Sequence, residues 1–211
     1  MYEIIPGILE KDWQGVEKKI KLLSPFAKSL HIDIIDNKFA PNLTILDAAP
    51  FAKYKDQFLL EAHLMVENPI DYVDDFAEAG FRRLLGHIEG MEDVYEYIER
   101  CRDVDVEVGL ALDGPTPVDE LFDYIDDVDC FQFYVSERVG FAGPPMLPER
   151  LEKVKAMRER TSVPIEVDGG VKDTTIDLAK EAGATRFVAT SFISGASDPK
   201  HAFLTLEAAV A

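Results

Sequence analysis

The stretch His31-Ile-Asp-Ile-Ile-Asp-Asn-Lys-Phe39 ends an apolar run and decides how the chain is to be read. In His31-Ile-Asp33 the two polar side chains share one strand face, because side chains alternate with period two. Two further segments repeat the arrangement: His63-Leu-Met65 ends a second apolar run, and Val167-Asp-Gly-Gly170 ends a third. Together they bring two imidazoles and two carboxylates, His31, Asp33, His63 and Asp168, to points where buried strands hand over to loops. A single strand His or Asp is as a rule a satisfied buried polar group. Charges are costly to bury, and packing alone does not account for such groups at three strand ends. Two His and two Asp suit a divalent metal with nitrogen and oxygen ligands. Two carboxylates from different strands can also exchange protons with opposite faces of one carbon.

Outward from these segments, strand-like apolar runs lie at 2–5, 29–35, 59–66, 83–88, 107–112, 130–135, 164–167 and 186–189. Helical patterns lie at 13–23, 69–79, 91–101, 118–124, 147–160, 174–182 and 199–210. Gly80 after Ala79 and Gly183 after Ala182 are placed as C-terminal helix glycines are. The alternation predicts one α/β domain over residues 1–211, a single (β/α)8 TIM barrel; an open doubly wound sheet is the competing architecture. No linker, low-complexity stretch or charge block marks a second domain. In a parallel barrel the chemistry sits at the carboxyl ends of the strands, where His31, Asp33, His63 and Asp168 fall.

Small residues follow the last three strands: Gly140-Phe-Ala-Gly143, Gly169-Gly170 and Thr190-Ser191. Such turns let backbone N–H groups approach a phosphate. The expected pocket is therefore formed by Gly140, Phe141, Ala142, Gly143, Gly169, Gly170, Thr190 and Ser191, with N–H donors at Gly143, Gly170 and Ser191. His63 borders it, and Met65 is either core packing or a lid over the ligand. His87 reads as a supporting or satisfied barrel imidazole rather than a fifth ligand, His201 as a surface residue, and Gly114-Pro-Thr-Pro117 as a plain turn.

With 211 residues and 47% hydrophobic content the chain can bury a large core. Lys plus Arg number 22 against 40 Asp plus Glu, a formal charge of −18. That surface repels nucleic acid and anionic membrane, and reads as solubility or adaptation to high salt. Cys101 and Cys130 form no metal or CxxC spacing, so a reduced, cytoplasmic chain is expected. The N-terminus Met-Tyr-Glu-Ile-Ile-Pro-Gly7 has no positive leader region, and no apolar run approaches the roughly 18 residues of a membrane span. The expectation is a protein neither secreted nor membrane-spanning.

At these residues the chain resembles the ribulose-phosphate 3-epimerase family nearly end to end. The matching segments include Pro6-Gly-Ile-Leu9, Phe39-Ala-Pro-Asn-Leu-Thr44, His63-Leu-Met-Val66, Gly109-Leu-Ala-Leu112, Gly140-Phe-Ala-Gly143, Glu166-Val-Asp-Gly-Gly-Val171 and Ser197-Asp-Pro199. The resemblance implies a metal-dependent (β/α)8 barrel that inverts carbon 3 of D-ribulose 5-phosphate to give D-xylulose 5-phosphate. It implies His31, Asp33, His63 and Asp168 as ligands of one divalent ion, Zn2+ first with Fe2+ or Mn2+ as alternatives. It further implies Asp33 and Asp168 as the catalytic acid/base pair. The expected partners are a small-molecule ketose phosphate and further copies of the chain in a homo-oligomer.

The chain departs from the family's pattern at several points. Gly7 stands where the family has Ser, a hydroxyl that contacts substrate there. Ile35 and Phe133 stand where it has Met, leaving Met65 from a methionine cap. Asn37 and Thr190 replace Gly. Ser136-Glu-Arg-Val-Gly-Phe-Ala-Gly143 is longer and more charged than the usual loop after strand six. The alternatives are 3-epimerisation of another ketose phosphate, such as D-allulose 6-phosphate, or a barrel that binds a sugar phosphate without turnover. A related group of decarboxylases and synthases uses Asp-x-Lys-x-x-Asp on strand three, but Glu61-Ala-His-Leu-Met-Val-Glu67 has no Lys.

Overall fold

The computed structural model describes residues 2–211. Eight parallel strands pair in chain order and close on themselves: β1 (Glu3–Ile8), β2 (Ser29–Ile35), β3 (Leu59–Met65), β4 (Arg83–His87), β5 (Glu107–Leu112), β6 (Cys130–Tyr134), β7 (Ile165–Asp168) and β8 (Arg186–Ala189). This is the expected (β/α)8 barrel; the closing β1–β8 ladder excludes the open sheet. Strand β1 runs past Pro6 to Ile8, further than the apolar run predicts, with Pro6 opposite Ala189 on β8.

The expected helices 13–23 and 199–210 are present with those bounds, while 69–79 and 147–160 are shorter as α-helix because their first turns wind as 3-10 helix. Segment 69–79 divides into a 3-10 turn at Pro69–Tyr72 and a true α-helix at Val73–Glu78, and 118–124 is 3-10 throughout. The 3-10 turn at Ala49–Tyr54 and the one-turn helix α6 (Ser191–Ser194) have no counterpart in the sequence reading. The α-helices are otherwise α1 (Trp13–Leu23), α2 (Val73–Glu78), α3 (Val94–Asp103), α4 (Leu151–Arg158), α5 (Ile176–Glu181) and α7 (Pro199–Val210). Side-chain caps set three of their starts: Asp12 accepts from Gly15 N–H at 2.8 Å, Asp93 caps α3, and Asp198 caps α7 ahead of Pro199. No helix among the described residues is long and apolar enough to cross a membrane.

Strand alternation divides the core in two. Residues such as Ile32, Ile34, Leu64, Phe133 and Val167 pack outward against the helices in one large cluster. The inward positions carry the polar residues Ser29, His31, Asp33, Glu61, His63, Arg83, His87, Gln132, Glu166 and Asp168, all buried. Over the carboxyl mouth lies a small separate cluster of Ile35, Ala40 and Met65, flanked by Leu9, Phe39 and Val139. Polar side chains inside and an apolar shell outside confine the chemistry to the barrel axis.

Candidate active site and metal centre

Register places the four residues singled out from the sequence. Asp33 on β2 lies opposite His63 on β3, and Asp168 ends β7 opposite Tyr134 on β6. The polar ligand atoms of His31, Asp33, His63 and Asp168 all lie within 4.8 Å of one another. The backbone under Asp33 is fixed by Thr44, whose hydroxyl donates to Asp33 O at 2.7 Å and accepts from Ile35 N–H at 2.8 Å. Asp36 accepts from Lys38, Phe39 and Glu67 N–H groups, tying the loop after β2 to the loop after β3. Asn37 has φ of +63°, a region that Asn tolerates better than most side chains.

The two imidazoles have defined partners. His31 Nδ1 lies 2.7 Å from Glu61 Oε1, so Nδ1 carries a hydrogen and donates it to that carboxylate. A neutral His31 then turns a bare Nε2, buried and without a hydrogen-bond partner, toward Asp33 Oδ1 at 3.5 Å. His63 Nδ1 lies 3.2 Å from Asp33 Oδ1 and 3.4 Å from Asp168 Oδ2, while its Nε2 meets His87 Nε2 at 2.9 Å. His87 Nδ1 lies 3.0 Å from Glu89 Oε2 and donates to it.

Electrostatics concentrates a demand for positive charge between the carboxylates. Burial alone lowers the basicity of His31, yet the neighbouring carboxylates of Asp33 and Glu61 raise it well above the ordinary value. His63 is likewise raised against burial by Asp168 and Asp33. Burial would lift Asp33, but His31 and His63 hold it down at about 2. The raised basicity of His31 shows that the Asp33 carboxylate calls for positive charge at Nε2, which a proton meets in the free ring and a metal ion meets on the neutral one. The donor set of two imidazoles and two carboxylates therefore fits a divalent ion, and Glu61 and His87 stand behind the imidazoles as hydrogen-bond partners of metal ligands do.

Asp33 and Asp168 open onto a cavity at the mouth, lined also by Met65, Gly140, Phe141, Ala142, Gly143, Gly169, Gly170, Thr190 and Ser191. Of the expected pocket residues only His63 is sealed beneath, with no exposed surface. Gly170 has φ of +71°, and a Cβ there would meet Met146 N at 2.2 Å, so the turn after β7 admits only glycine. Asn42 Nδ2 donates to Gly140 O at 2.8 Å, joining the loops after β2 and β6. His201 is exposed and away from the site, as expected.

One assignment is corrected. Phe133 belongs to the outer cluster against the helices; the β6 side chain at the mouth is Tyr134. Tyr134 is opposite Asp168 in register and therefore shares its inward face. Its hydroxyl donates to Arg138 O at 2.7 Å and holds the loop after β6. Glu61 and Glu166 are the other omissions. Each stands two residues before a candidate ligand, His63 or Asp168, so the alternation that paired His31 with Asp33 also points to them. Both Glu166 oxygens lack hydrogen-bond partners, although Oε1 lies 3.6 Å from His31 Nδ1, and burial together with the Glu61 charge lifts its pKa to about 8.

Fold and site together define a parallel (β/α)8 barrel with a buried metal-competent His/Asp cluster at its carboxyl mouth. The sequence pattern of the ribulose-phosphate 3 epimerase family matches residues 3–194. The chain is 36% identical to the cytoplasmic isoform of ribulose-phosphate 3-epimerase from Oryza sativa subsp. japonica, over 99% of this chain and 94% of that protein. It is 33% identical to ribulose-phosphate 3-epimerase from Schizosaccharomyces pombe, over 94% of this chain and 89% of that one. The chain belongs to the ribulose-phosphate 3-epimerase family. Among solved structures, a 3-hexulose-6-phosphate synthase superposes with a TM-score of 0.73 over the full length of both chains at 20% identity, a likeness of fold alone.

Proposed function

We propose that this protein inverts carbon 3 of D-ribulose 5-phosphate to give D-xylulose 5-phosphate, with Asp33 and Asp168 as the two proton-transfer groups. The observation that carries the reading is the convergence of these carboxylates, from β2 and β7, on one imidazole nitrogen, His63 Nδ1. Groups arriving from different strands can address opposite faces of a carbon lying between them, as inversion requires.

His31, Asp33, His63 and Asp168 would hold one divalent ion, Zn2+ first among Zn2+, Fe2+ and Mn2+. When bound, such an ion supplies Lewis-acid stabilisation of charge developing on substrate oxygens. The residues do the rest. Asp33 is held ionised by His31 and His63, the state from which a proton acceptor must start. Asp168 delivers one from the opposite side, and the roles exchange in the reverse direction. Met65 and Leu9 wall the cavity with apolar surface and reduce the access of water. Backbone N–H groups of Gly143, Gly170 and Ser191 would receive the phosphate, neutral donors that let a chain of charge −18 hold an anion. The buried thiols of Cys101 and Cys130, and a cytoplasmic isoform among the relatives, support work in the cytoplasm.

The test is a coupled assay on the purified, metal-loaded protein with D-ribulose 5-phosphate and D-allulose 6-phosphate side by side. Faster turnover of the pentulose phosphate is expected. Preference for the hexulose phosphate corrects the substrate, and turnover of neither overturns the reading.

A further inference from the structure

We infer that the Gly7 and Thr190 departures are one exchange, in which a substrate-binding hydroxyl has moved from β1 to the end of β8. The two strands are hydrogen-bonded neighbours with Pro6 opposite Ala189, so Gly7 and Thr190 are the next step of the same ladder. A Cβ built on Gly7 would lie 2.0 Å from Thr190 Oγ1 and 3.1 Å from Thr190 Cβ. The Thr190 hydroxyl therefore fills the notch where a side chain at position 7 would begin. Only glycine at 7 leaves room for it, and only a side chain at 190 fills the room that glycine leaves.

Two features point that hydroxyl at a ligand. Thr190 occupies the N-cap position of α6, where Thr ordinarily accepts from a helix N–H, yet it makes no such bond. It instead lines the cavity that holds Asp33 and Asp168, and also the adjoining crevice against Gly7. Threonine is stiff at χ1, so contact with the Gly7 backbone keeps the hydroxyl in that direction. The ligand class is an oxygen of the bound sugar phosphate; this rests on the epimerase reading above. Thr190 thus sets substrate affinity without taking part in proton transfer.

The exchange is tested by a mutant cycle on the metal-loaded enzyme. Thr190→Val keeps the shape and removes the hydroxyl; it should raise KM about tenfold with kcat and Tm nearly unchanged, the loss of a single hydrogen bond made equally in ground and transition states. Thr190→Ser should keep KM near wild type. Gly7→Ser alone should also raise KM, because its side chain and Thr190 compete for one volume. The double variant Gly7→Ser/Thr190→Gly should return KM to within a few-fold of wild type. An unchanged KM in Thr190→Val, or a double variant no better than the worse single one, overturns the exchange alone. A wild-type protein that turns over neither ketose phosphate overturns the function reading and this inference with it.

Discussion

His63 Nε2 lies 2.9 Å from His87 Nε2, and this contact fixes the hydrogens on both rings. Two nitrogens so close share one hydrogen. Glu89 accepts from His87 Nδ1, so His87 Nε2 is the acceptor and His63 Nε2 the donor. Burial keeps His87 neutral by lowering its basicity, consistent with that role. With Nε2 carrying that hydrogen, a neutral His63 is bare at Nδ1 toward Asp33 and Asp168, the form a metal requires; without a metal ion the two carboxylates favour a proton there.

His87→Ala should accordingly release a bound ion faster. Partners behind metal ligands are worth roughly 10–100-fold in affinity. Zinc transfer to a coloured chelator measures the rate, and Glu89→Gln should have a smaller effect of the same sign. A release rate equal to wild type in His87→Ala would refute the chain of hydrogen bonds.

Removing a ligand should do more. His63→Ala is expected to lower metal content and epimerase turnover together, measured by elemental analysis and coupled assay on one sample. Full occupancy in that variant would mean that the ion sits elsewhere.

Tyr134 anchors the long loop after β6 through its bond to Arg138 O and a longer one to Phe141 O at 3.4 Å. Tyr134→Phe removes about 1 kcal/mol of anchoring and should raise KM several-fold while metal content stays constant. Equal KM in the two proteins would show that the loop holds its place by other contacts.

Much of this site was legible because it obeys alternation. His31-Ile-Asp33, His63 and Asp168 reveal themselves as polar residues at the ends of apolar strands, and glycines after β6 and β7 mark the mouth. Tyr134 and Phe133 were harder to tell apart: both are apolar neighbours in one run, and only pairing with Asp168 decides which faces inward. The hydroxyl exchange between Gly7 and Thr190 was invisible, since it depends on contact between residues 183 positions apart in the chain. The 3-10 character of segment 118–124 also escaped, because i+3 and i+4 apolar spacing suits either helix.

Cys101 gives a pH dependence with a definite sign. Burial lifts its thiol from 9.0 to about 12. Between those values the folded protein keeps a proton that the unfolded chain loses, so the contribution is whole below pH 9 and fades as pH rises toward 12. One such thiol steepens the alkaline loss by up to about 1.4 kcal/mol per pH unit. Urea titrations of wild type and Cys101→Ala at pH 8 and pH 10 should show a gentler decline in the variant. Parallel declines would mean that the thiol opens to solvent in the folded state.

Proton transfer by two carboxylates makes the sharpest claim about mechanism. Asp→Asn at position 33 or 168 preserves shape but removes the proton acceptor, and acid/base catalysis alone is worth roughly 10²–10⁴-fold. The loss should exceed that range, because each residue also belongs to the metal-competent cluster. The isotope pattern separates the two functions. In D2O, with one base taking the carbon-3 hydrogen and a different acid returning one from the other face, product should carry solvent deuterium. Substrate recovered early should remain largely unlabelled. A single group serving both faces would instead carry much of the original hydrogen into product. Efficient internal return, or an Asp168→Asn variant with near-normal turnover, excludes the pair Asp33 and Asp168 as the two proton-transfer groups.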